Sequence, residues 1–334
     1  MTTTTTTTTR HLSLLKPTGA LTLGSYLGAL RPMAERQHDA TCFYGVADLH
    51  ALTVPHDPAP LRQRLREMRT LFLACGLDPA RATLFVQSDV PAHSELGYLL
   101  ECVAHTGELN RMIQFKEKGR DQPQTRASLF TYPALMAADI LLYRTTEVPV
   151  GDDQRQHVEL ARDLAMRFNR TYGAVFTVPE ITVPPVAARV MDLQDPARKM
   201  SKSAHGDAGV VFLLDPPDVV ARKVARAVTD SDTGPDAVRH DPAAKPGIGN
   251  LLEILAACTG TDLAEAAAEV TTYGRLKRRV ADAVVALLEP VRKRYVELAD
   301  DPAYVEEVFA AGAERCRAET APVLASARAA IGLR

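Results

Sequence analysis

Short apolar runs alternate with helical periodicity through the first half of this 334-residue chain, and that alternation constrains the fold more than any other feature. Leu12-Ser13-Leu14-Leu15 runs into Lys16-Pro17-Thr18-Gly19 and then into the apolar residues 21–30, which reads as strand, turn and helix. Residues 41–47 form a second apolar run, followed by the polar Asp48 and His50. Residues 60–75 carry helical periodicity in Leu61, Leu65, Met68, Leu71 and Phe72, and Gly76 is the residue type that commonly closes a helix. Residues 82–88 are strand-like again. Strands separated by helices of this length predict a parallel sheet with crossover helices.

At roughly 150 residues per domain the length allows about two domains. Apolar residues make up 46% and charged residues 24%, which excludes wholesale disorder, a collagen-like chain and a coiled coil. No apolar run approaches the roughly 18 residues of a membrane span, and the N-terminus lacks a hydrophobic signal core. A soluble, cytoplasmic protein without a membrane partner is therefore expected. Cys42, Cys75, Cys102, Cys258 and Cys316 are scattered and form no C-x-x-C pair, so reduced thiols are expected, with neither a disulfide framework nor a structural zinc. The 39 basic and 41 acidic residues leave a net charge of −2, which excludes a uniformly basic coat; DNA is not an expected partner, and any polyanion must meet a local patch. Residues 1–10, threonine-rich and of low complexity, read as a disordered tail outside the fold.

The polar residues 111–126, with Lys116, Lys118 and Arg120, read as an exposed insertion or mobile loop. A helix is expected from Thr131 as its cap, with Pro133 in the first turn, where a missing N–H costs little. Val148-Pro149-Val150 is one more short strand, and Gly151-Asp152-Asp153-Gln154 leads into a helix with Val158, Ala161, Ala165 and Phe168 on one face. Beyond Pro196 strand signals fade and helices dominate.

The most specific string is Lys199-Met200-Ser201-Lys202-Ser203, where the strand-rich half passes into the helical one. Two ammonium groups and two hydroxyls on such a loop can fold over a triphosphate and neutralise charge as pyrophosphate leaves. The string resembles the second signature of class I aminoacyl-tRNA synthetases. The first signature belongs at the first strand-to-helix turn, where Thr22-Leu23-Gly24-Ser25 stands. Together with Pro17, Gly19, Tyr26, Gly28, Ala29 and Leu30 its spacing is similar to that of bacterial-type tryptophanyl-tRNA synthetases. The resemblance covers nearly the whole chain through Ala47-Asp48-Leu49-His50, Gln114-Phe115-Lys116-Glu117-Lys118, the run from Tyr132 to Leu141, Gly151-Asp152-Asp153-Gln154-Arg155-Gln156-His157, Ala227-Val228-Thr229-Asp230-Ser231 and Lys245-Pro246-Gly247-Ile248-Gly249-Asn250.

The resemblance implies an α/β fold: a Rossmann-like doubly wound parallel sheet over residues 11–194, with a connective insertion at about 90–130. A helical tRNA- and anticodon-binding domain would follow over 195–300, and a C-terminal helix within 301–334 would pack back on the catalytic domain. It implies activation of L-tryptophan with ATP and Mg2+, transfer to tRNA(Trp), and a homodimer. Lys199, Lys202, Ser203 and Thr22 would be catalytic. ATP would be held by Lys16, Thr18, Gly24, Ser25, Lys118, Gly151, Asp153 and Met200 together with Lys199 and Lys202. Tryptophan would be held by Leu12, Leu14, His50, Tyr132, Met136, Asp139, Val148, Val150 and Gln154. No metal held by protein ligands is expected.

The residue chemistry bears on the amino acid separately. Tyr132, Met136, Asp139 and Tyr143 share one helix face, and Asp139 stands among Leu135, Met136, Ile140 and Leu141. An unpaired carboxylate there would be expensive and needs a donor, which an indole N–H supplies; a site leaving it unpaired rejects phenylalanine. The alternative is a structural Asp139 paired with Arg144 or a backbone N–H. Asp153 has a helix-capping alternative, His50 that of a packed, hydrogen-bonded histidine, and Lys118 that of a surface charge. The basic clusters Lys277-Arg278-Arg279 and Arg292-Lys293-Arg294 either meet tRNA phosphates or form a solvated face. Leu12, Leu14 and Lys16 stand where the bacterial members commonly carry phenylalanine, glycine and glutamine, and Ser25 stands for asparagine; Lys16 adds positive charge beside the expected ammonium site. A tyrosyl-tRNA synthetase, or a synthetase-like binding protein that no longer aminoacylates, are the competing functions.

Overall fold

The computed structural model describes residues 9–119, 123–149, 152–182, 190–201, 206–234, 236–268 and 270–333. In chain order the elements are β1 (Arg10–Leu15), α1 (Leu23–Ser25), a π-helical turn (Tyr26–Leu30), α2 (Arg31–Arg36), β2 (Thr41–Val46), α3 (Asp48–Ala51), α4 (Pro58–Ala74), β3 (Ala82–Val86), a 3-10 turn (Gln87–Asp89), α5 (Ala92–Glu101), α6 (Thr106–Asn110) and α7 (Ile113–Lys118). They continue as α8 (Ala127–Leu142), β4 (Glu147–Pro149), α9 (Asp152–Tyr172), β5 (Glu180–Thr182), α10 (Pro217–Ala225), α11 (Pro246–Thr259), α12 (Leu263–Ala268), α13 (Tyr273–Ala299) and α14 (Pro302–Ala330).

Strands β1, β2 and β3 pair in parallel in that order, with Leu12 opposite Phe43 and Tyr44 opposite Leu84. The parallel pair β4 and β5 lies beside β1, where the Arg10 N–H donates to Thr146 Oγ1 at 3.3 Å. Because side chains alternate along a strand, the sheet builds a core on each face. Cys42, Tyr44, Val46, Leu84 and Val86 join the core that contains Leu23, Phe72, Leu251 and Val284, whereas Leu12, Phe43 and Phe85 join the one containing Leu100, Ile140 and Phe168. Helices on both faces make the sheet doubly wound, as the alternation of elements implies.

β3 is the edge of its three-stranded sheet, and α14 covers it. The approach is so close that a Cβ on Gly312 would sit 1.7 Å from the Leu84 carbonyl oxygen. Arg10 and Arg69 tie the helix down through Glu319 at 2.6 Å and Glu306 at 2.7 Å. Past β5 no further strand forms among the described residues. No helix among them is long and apolar enough to cross a membrane.

Two local expectations are corrected. The helix expected from Thr131 begins at Ala127, with Arg126 at its cap, so Pro133 lies inside the helix rather than in its first turn. The missing N–H there leaves the Leu129 carbonyl without its helical donor, a cost offset by burying Pro133 itself in the apolar interior. The polar run expected as a loop contains α7, seated on the buried Met112 and on an edge-to-face contact between Phe115 and Phe130 at 5.0 Å.

Candidate active site

A cleft of about 470 Å³ opens at the carboxyl ends of the strands, where open parallel sheets present ligand sites. β1 contributes Leu12 and Leu14, and the following turn contributes Lys16. α3 supplies His50, α8 supplies Tyr132, Met136 and Asp139, β4 supplies Val148, and α9 supplies His157. Seven of the side chains expected to hold an amino acid, Leu12, Leu14, His50, Tyr132, Met136, Asp139 and Val148, thus share one wall system. The Tyr132 hydroxyl is hydrogen-bonded to His157 Nε2, closing one side, and burial raises the Tyr132 phenol above its usual value.

Asp139 is buried, but it is not the unpaired carboxylate expected from its apolar neighbours, nor does it pair with Arg144. His93 Nδ1 lies 2.6 Å from Oδ1 and His50 Nε2 lies 2.7 Å from Oδ2. Gln87 Nε2 reaches both oxygens, at 2.8 and 3.0 Å, and so shares a hydrogen between them. Arg144 instead faces Glu319 at 3.6 Å. An ionised carboxylate only accepts, so the facing nitrogens of both histidines carry hydrogens. His93 Nε2, on the other side of the ring, meets the Tyr143 hydroxyl at 2.9 Å. Burial pushes the Asp139 carboxyl up; the charges of His50 and His93 and the hydrogen bonds from both outweigh it and hold the group at about 2.

Oδ1 accepts from His93 and Gln87, and Oδ2 from His50 and the longer arm of the Gln87 fork, so a ligand N–H would reach Oδ2 by displacing that 3.0 Å arm. This weakens the case for strong phenylalanine rejection, since the group is largely satisfied before any ligand enters. Gln87 and His93 escaped the sequence reading. Gln87 has a signal in retrospect, a polar residue directly after an apolar strand; His93 has none.

A second group of expected residues gathers around α1. Thr22 caps it: its Oγ1 accepts from the Ser25 N–H at 3.2 Å while Ser25 Oγ accepts from the Thr22 N–H at 3.3 Å. Thr22, expected to be catalytic, and Ser25, expected to hold ATP, are thus joined in a reciprocal capping box. At Gly24 an added Cβ would make only ordinary contacts, with Thr22 at 3.5 Å, Val190 at 3.6 Å and the Met200 carbonyl at 3.7 Å. Packing alone does not require glycine there, and the contact brings the two signatures face to face. Met200 is buried and anchors the loop; Lys199 and Ser201 are exposed, as is Thr18. Lys202, Ser203, Val150 and Gly151 lie outside the described residues, and so do the side chains of Lys118, Asp153 and Gln154.

Among the described residues no group of three or more His, Cys, Asp or Glu could hold a metal ion. The basic clusters of α13 are partly spent on the fold: Lys277 Nζ donates to the Ala225 carbonyl at 3.3 Å, and Arg292 donates to the carbonyls of Asp215 at 3.4 Å and Val285 at 3.1 Å. Arg278, Lys293 and Arg294 are exposed.

The family model of class I tRNA synthetases (W and Y) matches residues 4–289. The chain belongs to that family. This class I synthetase is 56% identical over 330 residues to tryptophan–tRNA ligase 1 of Streptomyces coelicolor, covering 97% of each chain. The tryptophanyl-tRNA synthetase of Mycoplasma pneumoniae superposes with a TM-score of 0.88 at 36% identity, covering 98% of each. That of Campylobacter jejuni, solved with ADP and tryptophan, superposes at 0.82 with 32% identity, over 97% of this synthetase and 100% of its own chain. The Rossmann-like architecture of the class I synthetases is the one seen here, with its sheet, its helices on both faces and its cleft at the strand ends.

Proposed function

We propose that the chain is a tryptophan–tRNA ligase. The carboxylate of L-tryptophan attacks the α-phosphorus of ATP in line, the bond to pyrophosphate breaks, and tryptophanyl-adenylate forms; the terminal ribose hydroxyl of tRNA(Trp) then takes the acyl group and AMP leaves. The observation that carries the amino-acid assignment is the ionised Asp139 in the cleft, whose Oδ2 holds only the longer arm of the Gln87 fork beside His50, in a chain so closely related to tryptophan ligases. The indole fits between Leu12, Leu14, Met136 and Val148, and its single N–H meets Oδ2. Gln154 and Tyr132 are assigned to the substrate ammonium, and Asp153 to the adenosine ribose.

No protein nucleophile takes part, so catalysis is positioning and charge stabilisation. Lys199, Lys202 and Ser203 are assigned to the phosphates, and Gly24, Gly151, Thr18, Met200 and Lys118 to the nucleotide. Lys16 lines the cleft between the two substrates and is assigned to the phosphates, away from the ammonium it would repel. Thr22 and Ser25 act through the helix start they cap. Magnesium is assigned as the counter-ion that ATP carries in, part of the substrate. Arg278, Lys293 and Arg294 are assigned to tRNA phosphates, and a cytoplasmic homodimer is the proposed assembly. Amino-acid-dependent exchange of pyrophosphate into ATP, run with each of the twenty amino acids, tests the reading. Exchange with tryptophan alone is expected; exchange with tyrosine would move the chain to the other arm of its family, and exchange with none would remove the activity.

A further inference from the structure

The loop that begins at Lys199 is the end of a small hairpin, and its hydrogen bonds leave one residue half used. The Asp192 backbone N–H donates to the Arg198 carbonyl at 2.8 Å and the Met200 backbone N–H to the Val190 carbonyl at 3.0 Å, while Met191 and Lys199 face each other as an antiparallel bridge. In antiparallel pairing such a residue, flanked by both bonds but making neither, turns its own N–H and C=O outward. Both are taken by one side chain from a distant helix. Asn250 Oδ1 accepts from the Met191 N–H at 2.9 Å, and Asn250 Nδ2 donates to the Met191 carbonyl at 3.0 Å. A primary amide is the smallest side chain that offers donor and acceptor side by side, so it imitates a neighbouring strand. Asn250 is buried, and a buried pair of this kind is costly to break on one side only.

Its helix, α11, is in turn fixed at its start. A Cβ on Gly247 would lie 2.2 Å from the Val228 carbonyl oxygen, and Val228 itself donates to the Leu193 carbonyl at 2.8 Å. Buried Lys245, next to the helix, grips Asp230 at 2.9 Å and Asp232 at 2.7 Å. On the far side of the hairpin, the Met200 carbonyl rests against Gly24. The Asn250 amide, together with the Val228 to Leu193 bond, therefore connects the helical half of the chain to the hairpin that carries Lys199.

We infer that Asn250 is a positioning residue for the phosphate-binding loop: it sets the register of the Met191–Met200 hairpin against α1, and through it the placement of Lys199, without touching either substrate. The inference rests on the proposed function and adds to it a residue of the helical half. Asn250→Ala removes both bonds; Asn250→Asp keeps the volume and the acceptor and loses the donor to the Met191 carbonyl.

The test separates binding from chemistry. The chain contains no tryptophan, so the fluorescence of bound substrate reports its affinity directly. Displacing a phosphate-neutralising lysine by about 1 Å is expected to lower kcat for tryptophan-dependent pyrophosphate exchange by about 10²-fold in Asn250→Ala, and to raise KM for ATP, with the tryptophan Kd held within about 2-fold. Asn250→Asp should fall between Ala and wild type, and hydrogen exchange of residues 190–200 should quicken in it while α8 stays protected. Exchange activity within about 3-fold of wild type in Asn250→Asp, unchanged protection of the hairpin, or a parallel loss of tryptophan affinity would each overturn the inference. Hydrogen exchange needs no catalysis, so a wild type without tryptophan-dependent exchange would end the proposed function while leaving the clamp itself measurable.

Discussion

Replacing Asp139 by asparagine changes almost no volume and removes the charge on which the cleft is organised. The carboxylate has four acceptor positions, filled by His93, His50 and the two arms of the Gln87 fork at 2.6 to 3.0 Å, and the 3.0 Å arm on Oδ2 is the one an indole N–H would replace. An amide has one oxygen and an NH2 group. If the oxygen takes the place of Oδ1, the bonds from His93 and Gln87 survive and with them the Tyr143 contact to His93 Nε2. The NH2 group then replaces Oδ2, facing the His50 N–H, the longer arm of the Gln87 fork and the side from which a ligand N–H would come. The reverse orientation sets NH2 against His93, whose other nitrogen is already committed to Tyr143, and is the worse one. In the better orientation tryptophan loses a charged acceptor and meets a donor. Hydrogen bonds to charged groups contribute about 1.5–3 kcal/mol, so the Kd should rise about 10- to 150-fold. Global stability should fall by about 1–3 kcal/mol, the cost of a buried donor left unmet at His50. Titration of the substrate's own fluorescence reads the first quantity, with no indole in the protein to interfere. Denaturant unfolding reads the second. A Kd within about 3-fold of wild type, in a folded variant, would refute the assignment of the indole N–H to Asp139.

Burial, with Arg36 adding to it, lowers the pKa of His11 from 6.5 to about 4, so the unfolded chain binds a proton here that the folded chain does not between those limits. Stability from this group is complete above about pH 6.5 and is lost as pH falls toward 4, by about 3 kcal/mol in all; His11→Gln should flatten that slope in unfolding measured at several pH values, and an unchanged slope would contradict it. Gly312→Ala drives a Cβ into the Leu84 carbonyl and should lower Tm by about 5 °C or more, whereas unchanged melting would mean α14 does not press on β3 as described. Thr22→Ser keeps the capping box and should retain exchange activity, while Thr22→Ala should lose about 1 kcal/mol of stability; equal activity and stability of the two would show that the cap does not matter.

The strand-turn-helix opening, the helix closed by Gly76 at φ +92° and the parallel sheet were legible because each follows from a local rule of periodicity or backbone freedom. The start of α8 was not: Thr131 before a proline two residues on imitates a helix N-terminus, and only the buried packing of Leu129 and Pro133 carries the helix through it. The cleft walls at Leu12, Leu14, His50, Tyr132, Met136 and Val148 followed from the resemblance of whole blocks, not from any one residue. The donors to Asp139 were hidden for a different reason. His50, Gln87 and His93 arrive from three separate elements, and no pattern along the chain states that they converge on one carboxylate. Composition marked Asp139 as unusual and could not say who answers it. Likewise, nothing along the chain states that the hydroxyls of Thr22 and Ser25 cap α1 by bonding to each other's backbone.

A crystal structure of the chain grown with L-tryptophan and a non-hydrolysable ATP analogue puts the whole account to one measurement. The indole is expected between Leu12 and Met136, its ring nitrogen about 3 Å from Asp139 Oδ2, and the α-phosphate over Gly24 beside Lys199. An indole lodged outside that cleft, or a ring nitrogen turned away from a carboxylate still held by His50, Gln87 and His93, would contradict it.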